Sequence, residues 1–217
     1  MFDHYHPYAP FFPKGATKVI VGTLPPPRFT SGDLKADDVN FCYGSRDGQL
    51  WPILDKIFSL NLAYENTPFA IEQRKSFLTK RGIAICDIVQ AAKRDKIDAS
   101  DLGMRDIELR DVLGILTNYP SIKTLLFTGG NSKNGPEYFF RKHLTQYNLK
   151  LSVENSQVPR IHSFKHQERV YKTVSLTAPS GAANRAVGSL ESYKKLKTQN
   201  PSFNTLQFRV MQYKEHF

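Results

Sequence analysis

The apolar positions of this 217-residue chain fall into short unbroken runs separated by stretches with helical spacing. Four runs read as buried strands, at 18–24, 82–89, 124–128 and 171–176. Each is rich in Val, Ile or Leu and bounded by Gly, Pro or polar residues. Their continuous rather than alternating character predicts a sheet covered on both faces, as parallel sheets are. Trp51, Ile53, Leu54, Ile57, Phe58 and Leu60 predict a first helix, and Ile71, Phe77 and Leu78 among the charges of 69–79 predict a second. Ile107, Leu109, Val112, Leu113 and Leu116 predict a third, stopped by Pro120. Tyr138, Phe139, Phe140 and Leu144 mark a fourth, 188–197 a fifth, and 149–153 fits an edge strand. Strands alternating with helices predict an α/β fold, a three-layer α/β/α sandwich around a mostly parallel four-stranded sheet.

Residues 1–16, with Tyr5, Tyr8, Phe11, Phe12 and three prolines, read as an extended arm packed on this body. Residues 198–217 read as a C-terminal extension whose Phe203, Leu206, Phe208, Val210 and Tyr213 pack back onto it. The whole of 1–217 is expected to be one domain, acting as a monomer.

Composition narrows the class. The chain is 40% hydrophobic and 23% charged, an ordinary balance for a chain with a real core. No apolar run approaches the roughly 18–20 residues that span a bilayer, and 1–7 lack a basic-then-apolar leader, so neither membrane nor secretion is expected. Cys42 and Cys86 are too few for a structural zinc site and are read as reduced thiols of a cytoplasmic protein. His162 and His166, four apart, fit one helical face, and His4 and His6 lie two apart. Neither pair has a third ligand nearby, so no metal and no cofactor are expected. The formal charge is +10, and 160–197 alone carries eight Lys or Arg against Glu168 and Glu191, a net +6. Such a surface attracts polyanions by counterion release, or else simply solvates the protein.

Candidate chemistry lies where two of the strands end in small, proline-bearing loops, the usual place for ligands in α/β folds. Gly22-Thr23-Leu24-Pro25-Pro26-Pro27 is a rigid loop that permits close backbone approach. It has neither the glycine spacing of a dinucleotide site nor the Lys of a phosphate loop. Phe41 and Tyr43 precede a polar turn, where aromatic faces can stack a flat base. Asp47 in that turn is either a base that orients water or an ordinary turn and capping residue; Trp51 reads as core. Asp87 ends a strand and either faces the pocket or caps the next helix. Around Ser180, Gly181, Asn184 and Arg185, backbone amides at a helix start fit a phosphate, or ordinary capping by Ser180. No Gly-x-Ser-x-Gly elbow surrounds Ser180, which argues against a serine hydrolase.

Taken in order, 19–25, Tyr43-Gly44, 50–54, 82–89, 125–129 and 176–185 resemble the uracil-DNA glycosylase superfamily, in particular its mismatch-specific and hypoxanthine-DNA glycosylase-like branches. The resemblance implies a uracil-DNA glycosylase-like fold, a basic groove for double- or single-stranded DNA, and a pocket for a flipped base whose N-glycosidic bond is hydrolysed without metal. It implies that Gly22, Thr23, Leu24, Pro25, Phe41, Tyr43 and Asp87 shape the base pocket, that Asp47 positions water, and that Ser180, Gly181, Asn184 and Arg185 hold DNA. Thr23 and Leu24 stand where branches of the superfamily carry an acidic residue or Asn, and Gly48 stands where the hypoxanthine-type branch carries Asn. The rear loop keeps Pro179-Ser180 without the preceding His of the uracil enzymes. Base release in DNA repair is the expected function. A nucleic-acid-binding relative without the chemistry, or a nucleotide-processing α/β enzyme, is the alternative.

Overall fold

The computed structural model describes residues 1–98 and 100–217. At its centre, β2 (Lys18–Val21) pairs in parallel with β3 (Ile83–Ile85) on one side and β6 (Thr124–Phe127) on the other, and β6 pairs in parallel with β9 (Arg169–Ser175). These are the four strands expected from the apolar runs, but the sheet does not stop there. β8 (Arg160–His166) folds back antiparallel on β9, and β7 (Ser152–Asn155) pairs antiparallel with β8, giving a six-stranded mixed sheet ordered β3-β2-β6-β9-β8-β7. The β8–β9 turn is Gln167-Glu168, both with positive φ, the backbone twist that a two-residue hairpin requires. His162 and His166 therefore lie on a strand and not on a helix, and His162 is buried.

Alternation along the central strands sends neighbouring side chains to opposite faces. Val19, Val21, Leu125 and Phe127 join one core with α4 (Val112–Thr117) and α5 (Pro136–Thr145). Ile20, Leu126 and Val174 join the other with α2 (Leu50–Phe58), α3 (Pro68–Arg81) and α8 (Thr205–Lys214). That is the three-layer arrangement. α3 shows why its boundaries fall where they do. Thr67 caps it through Ala70 N–H, Pro68 occupies the first turn, and Gly82 ends it in the left-handed region. α8 begins with a reciprocal Asn204–Gln207 capping box. No helix among the described residues is long and apolar enough to cross a membrane.

Three elements differ from expectation. The run 82–89 is not one strand: β3 ends at Ile85, the chain turns Asp87 aside, and β4 (Val89–Arg94) enters a second sheet. Ile107 and Leu109 belong to β5 (Met104–Leu109), where they alternate with the exposed Asp106 and Glu108, so α4 keeps only the later part of the expected third helix. The fifth expected helix begins three residues late, as α7 (Glu191–Gln199), and Gly188 instead ends a separate short helix, α6 (Asn184–Gly188). The second sheet is ordered β1-β4-β5, where β1 (Phe2–Tyr5) is the start of the N-terminal arm. The arm is thus held as a strand, with a further backbone bridge from Phe11 to Ile85.

α8 reaches the site-bearing end of the sheet through one buried cation. Arg209 is wholly buried, has no carboxylate partner among the described residues, and donates to Ala178 O, Ser180 O, Gln49 Oε1 and Asn184 Oδ1 at 2.8–3.0 Å. Four neutral acceptors offset its desolvation, and removing the fork leaves them all unpaired. Arg209→Met is therefore expected to lose about 3 kcal/mol or more in chemical denaturation. Arg209→Lys is expected to recover little of this, because an ammonium cannot span the same four acceptors.

Candidate active site

The first proline loop and the Ser180 loop, nearly the whole chain apart, meet across one cavity of about 400 Å³ at the carboxyl end of the parallel strands. Leu24 and Ser180 both line it. The polar turn before α2 is stitched to the rear loop by a Gly48–Ser180 backbone bridge and by Gln49 N–H donating to Pro179 O at 2.8 Å. The volume lies within the roughly 300–1,000 Å³ of small-ligand sites.

Asp87 is the polar centre of the cavity. It is 5% exposed, and its Oδ1 accepts from Gly22 N–H and Tyr43 Oη, each at 2.7 Å. Its Oδ2 lies 3.0 Å from His6 Nε2. Tyr8 N–H donates to His6 Nδ1, so the hydrogen-bond network assigns the imidazole proton to Nε2, which donates to Asp87. Asp87 therefore faces the pocket and caps no helix. Gly22 has to be glycine: a Cβ there would stand 2.2 Å from Tyr43 Oη and 2.9 Å from both Asp87 Oδ1 and Thr128 Oγ1. Gly22 sits behind the wall, while Thr23, Leu24 and Pro25 form it.

Tyr43 reaches Asp87 from a strained backbone. Its φ is +58°, an outlier for a bulky residue that costs on the order of 1–3 kcal/mol. The tight turn is closed by Gly44 N–H to Phe41 O and Val39 N–H to Gly44 O. Burial and the neighbouring Asp87 charge push the Tyr43 phenol well above its ordinary range, so it serves as a donor and not as a phenolate. Phe41, expected to stack on a base, instead packs in the core against Phe11 and Trp51. The reversal of chain direction at Tyr43 turns one aromatic in and the other away. Trp51 is core, as its helical position implied, and its Nε1 donates to Cys42 O.

The expected Asp47 lies at the mouth, its side chain 69% exposed, with Arg28 Nη2 3.5 Å away. Arg28 is itself committed to Asp38, donating to both carboxylate oxygens at 2.7 and 2.8 Å. Burial raises the cost of the Asp38 charge, but Arg28 and the amides of Arg46 and Lys35 hold the carboxyl below its ordinary range. Asp38 thus organises the 35–47 loop that presents Asp47 and Tyr43. Ser180 and Gly181 line the cavity, whereas Asn184 and Arg185 do not. Asn184 Oδ1 accepts from Arg209 and Thr205, and Arg185 is exposed on the outer surface. The helix expected to begin there is a 3-10 turn followed by the five-residue α6, too short to concentrate much dipole.

Several lining groups went unseen in the sequence. His6 and Tyr8 come from the arm, and Thr128 from the end of β6. Asp101 comes from a 3-10 turn between β4 and β5, with Thr23 Oγ1 donating to its Oδ1 at 3.0 Å. Burial, with a smaller contribution from Asp87, pushes Asp101 up to about 6 against the pull of Thr23 and Arg94. Asp101, Thr128 and Ala178 also line a second cavity of about 500 Å³, which adjoins the first. Nothing in the polar stretch 95–101, with its three aspartates, singles out Asp101; only the hairpin brings it to the pocket.

No protein-family model and no curated protein matches the chain. Among solved structures, the chain is similar to the solution NMR structure of a "putative Uracil DNA glycosylase" from Methanosarcina acetivorans. The match has 17% identity and a TM-score of 0.57, and covers 99% of this chain and 100% of that one. The likeness is one of fold.

Gly22→Ala is expected to push Tyr43 off Asp87 and cost about 1–3 kcal/mol in denaturation. Part of that cost should vanish in a Tyr43→Phe background, because the contact at 2.2 Å is gone. The raised Asp101 makes a second prediction. The folded chain keeps its proton up to about 6 whereas the unfolded chain releases it near 3.8, so Asp101 contributes a loss of stability as pH rises between those values. Asp101→Asn is expected to melt higher than the parent above pH about 6, the difference closing below pH about 4.

Proposed function

We propose that the protein is a DNA glycosylase that takes a damaged or deaminated base out of the stack and hydrolyses its N-glycosidic bond in the cavity around Asp87. The observation that carries this is the meeting of the two proline-bearing loops over a partly apolar, base-sized cavity with a carboxylate fixed in its floor. The likeness in fold to a solved protein described as a "putative Uracil DNA glycosylase" supports the same assignment. Tyr43, Leu24 and Pro25 supply flat and apolar walls, and the extrusion cost of a few kcal/mol is least for a damaged or mispaired base. As the bond to the sugar breaks, positive charge develops on the sugar ring, and the negative charges of Asp87 and Asp47 favour it.

Asp47 stands at the mouth, where the sugar would lie, and is assigned to positioning the attacking water. Ser180 and Gly181 at the rim and the exposed Arg185 are assigned to the DNA backbone, whose phosphates draw the basic segment 160–197 by counterion release. The exposure of Asp47 favours one second assignment: a carboxylate so well solvated is a weak catalyst, which fits a DNA-binding relative lacking base release.

Incubation with duplex and single-stranded oligonucleotides carrying uracil, hypoxanthine or xanthine, followed by alkali, is expected to give cleavage at one of the lesions. Asp47→Asn should lower the rate by about 10²–10⁴-fold with DNA affinity retained. Salt-sensitive binding with no alkali-labile site for any lesion would instead assign the protein to the binding class.

A further inference from the structure

Four aspartates surround this end of the molecule, and their hydrogen bonding separates their capacities. Asp38 is saturated by Arg28 and two amides, Asp87 by three donors, and Asp47 is open to water. Asp101 is half-buried and incompletely bonded. Thr23 occupies Oδ1, and among the described residues Oδ2 has no hydrogen-bond partner. The carboxyl belongs to the wall common to both cavities. Its backbone is firmly placed: Asp101 O accepts from Met104 N–H and from Asn134 Nδ2 at 2.9 Å, and Arg94 Nη1 donates to Ser100 O at 2.6 Å. A carboxyl placed in the cavity lining, with one oxygen that takes no donor among the described residues, has the geometry of a proton carrier.

Resting on the glycosylase assignment, we infer that Asp101 is the catalytic acid of the site, delivering a proton from Oδ2 to the departing base. The balance is complete. The C1′–N bond breaks with its electron pair going to the base nitrogen system, and Asp101 supplies the proton that neutralises it. Water adds its oxygen to C1′ and releases one proton, which restores Asp101. The products are the free base and the sugar hydroxyl, with no other reactant.

The groups facing Asp101 set when it holds that proton. Asp87 in the shared cavity opposes ionisation, while Arg94 and the Thr23 hydroxyl favour it. Arg94 is itself bonded to His4, with Asp98 at 3.7 Å, and Arg160 lines the far side of the second cavity while paired with Glu137. Burial outweighs the favourable partners and leaves the carboxyl protonated up to about pH 6. Asp87, bonded by three donors, and Asp101, whose carboxyl is pushed up by burial, divide the work of charge stabilisation and proton transfer.

The test is single-turnover base release by the full chain from lesion-bearing DNA across pH about 5–8, for the parent, Asp101→Asn and Thr23→Val. The parent rate is expected to fall as pH rises through about 6. Asp101→Asn, which keeps an acceptor for Thr23, should lose about 10²-fold and lose that pH limb, with DNA affinity unchanged. Thr23→Val removes a donor to the ionised form and should move the limb to higher pH. Replacing uracil by 5-fluorouracil, whose anion leaves more readily, should shrink the Asp101→Asn defect. Carbon-13 titration of the Asp101 carboxyl in the parent, which needs no variant to fold, should show a midpoint near 6. A midpoint at the ordinary 3.8, or an active parent with Asp101→Asn retaining its rate and limb, overturns the role of Asp101 alone. A parent that binds DNA but releases no base at any pH overturns the glycosylase assignment as well.

Discussion

A nearly buried carboxylate must find donors, and Asp87 finds three, each from a different part of the chain. Gly22 N–H comes from the first strand loop, Tyr43 Oη from the turn before α2, and His6 Nε2 from the N-terminal arm. Desolvating such a charge costs several kcal/mol, and only a full set of donors offsets it. The rest of the site is built around that demand. Gly22 has no room for a Cβ, Tyr43 accepts a strained backbone, the His6 tautomer is set by Tyr8, and the arm is tied to the floor of the cavity.

The opposite wall depends on a cation that has no carboxylate partner among the described residues. Arg209 reaches from α8 beneath the Ser180 loop and gathers carbonyl and amide oxygens from three segments. Because Gln49 is among its acceptors and Gln49 N–H is bonded to Pro179 O, one side chain sets the spacing between the mouth that carries Asp47 and the rear loop. The C-terminal segment therefore supports the cavity without lining it.

Between these two anchors, the same residue type takes four roles by environment. Asp38 is a structural anion held by Arg28, Asp87 an acceptor of three donors, Asp47 a solvated carboxylate at the entrance, and Asp101 a half-buried carboxyl with one oxygen unclaimed among the described residues. Charge alone would make them equivalent. Hydrogen bonding and burial separate Asp101, whose carboxyl burial pushes up to about 6, from Asp38, which Arg28 and two amides hold below the ordinary range.

Runs of β-branched and aliphatic residues, bounded by glycine and proline, were enough to locate the central strands and the two loops that meet over the cavity. Covered strands and rigid loop residues leave strong local signals. Trp51 as core, and the packing of the arm and of the C-terminal segment, were legible for the same reason. The β8–β9 hairpin was not, because Gln167-Glu168 is an unusual pair for a turn that needs positive φ at both positions. The β4–β5 hairpin was hidden because Ile107 and Leu109 fit a helical period as well as an alternating one. Phe41 and Tyr43 look alike in sequence, and only the sign of one φ angle sends one ring inward and the other into the core. Asp101 carried no local mark at all, since a carboxyl acquires its proton affinity from what surrounds it in space, and its hydrogen-bond donor Thr23 lies 78 positions away. Local chemistry thus determined which segments are strands, loops and core; long-range packing alone decided which side chains face the cavity and how burial and donors differ among its carboxyls.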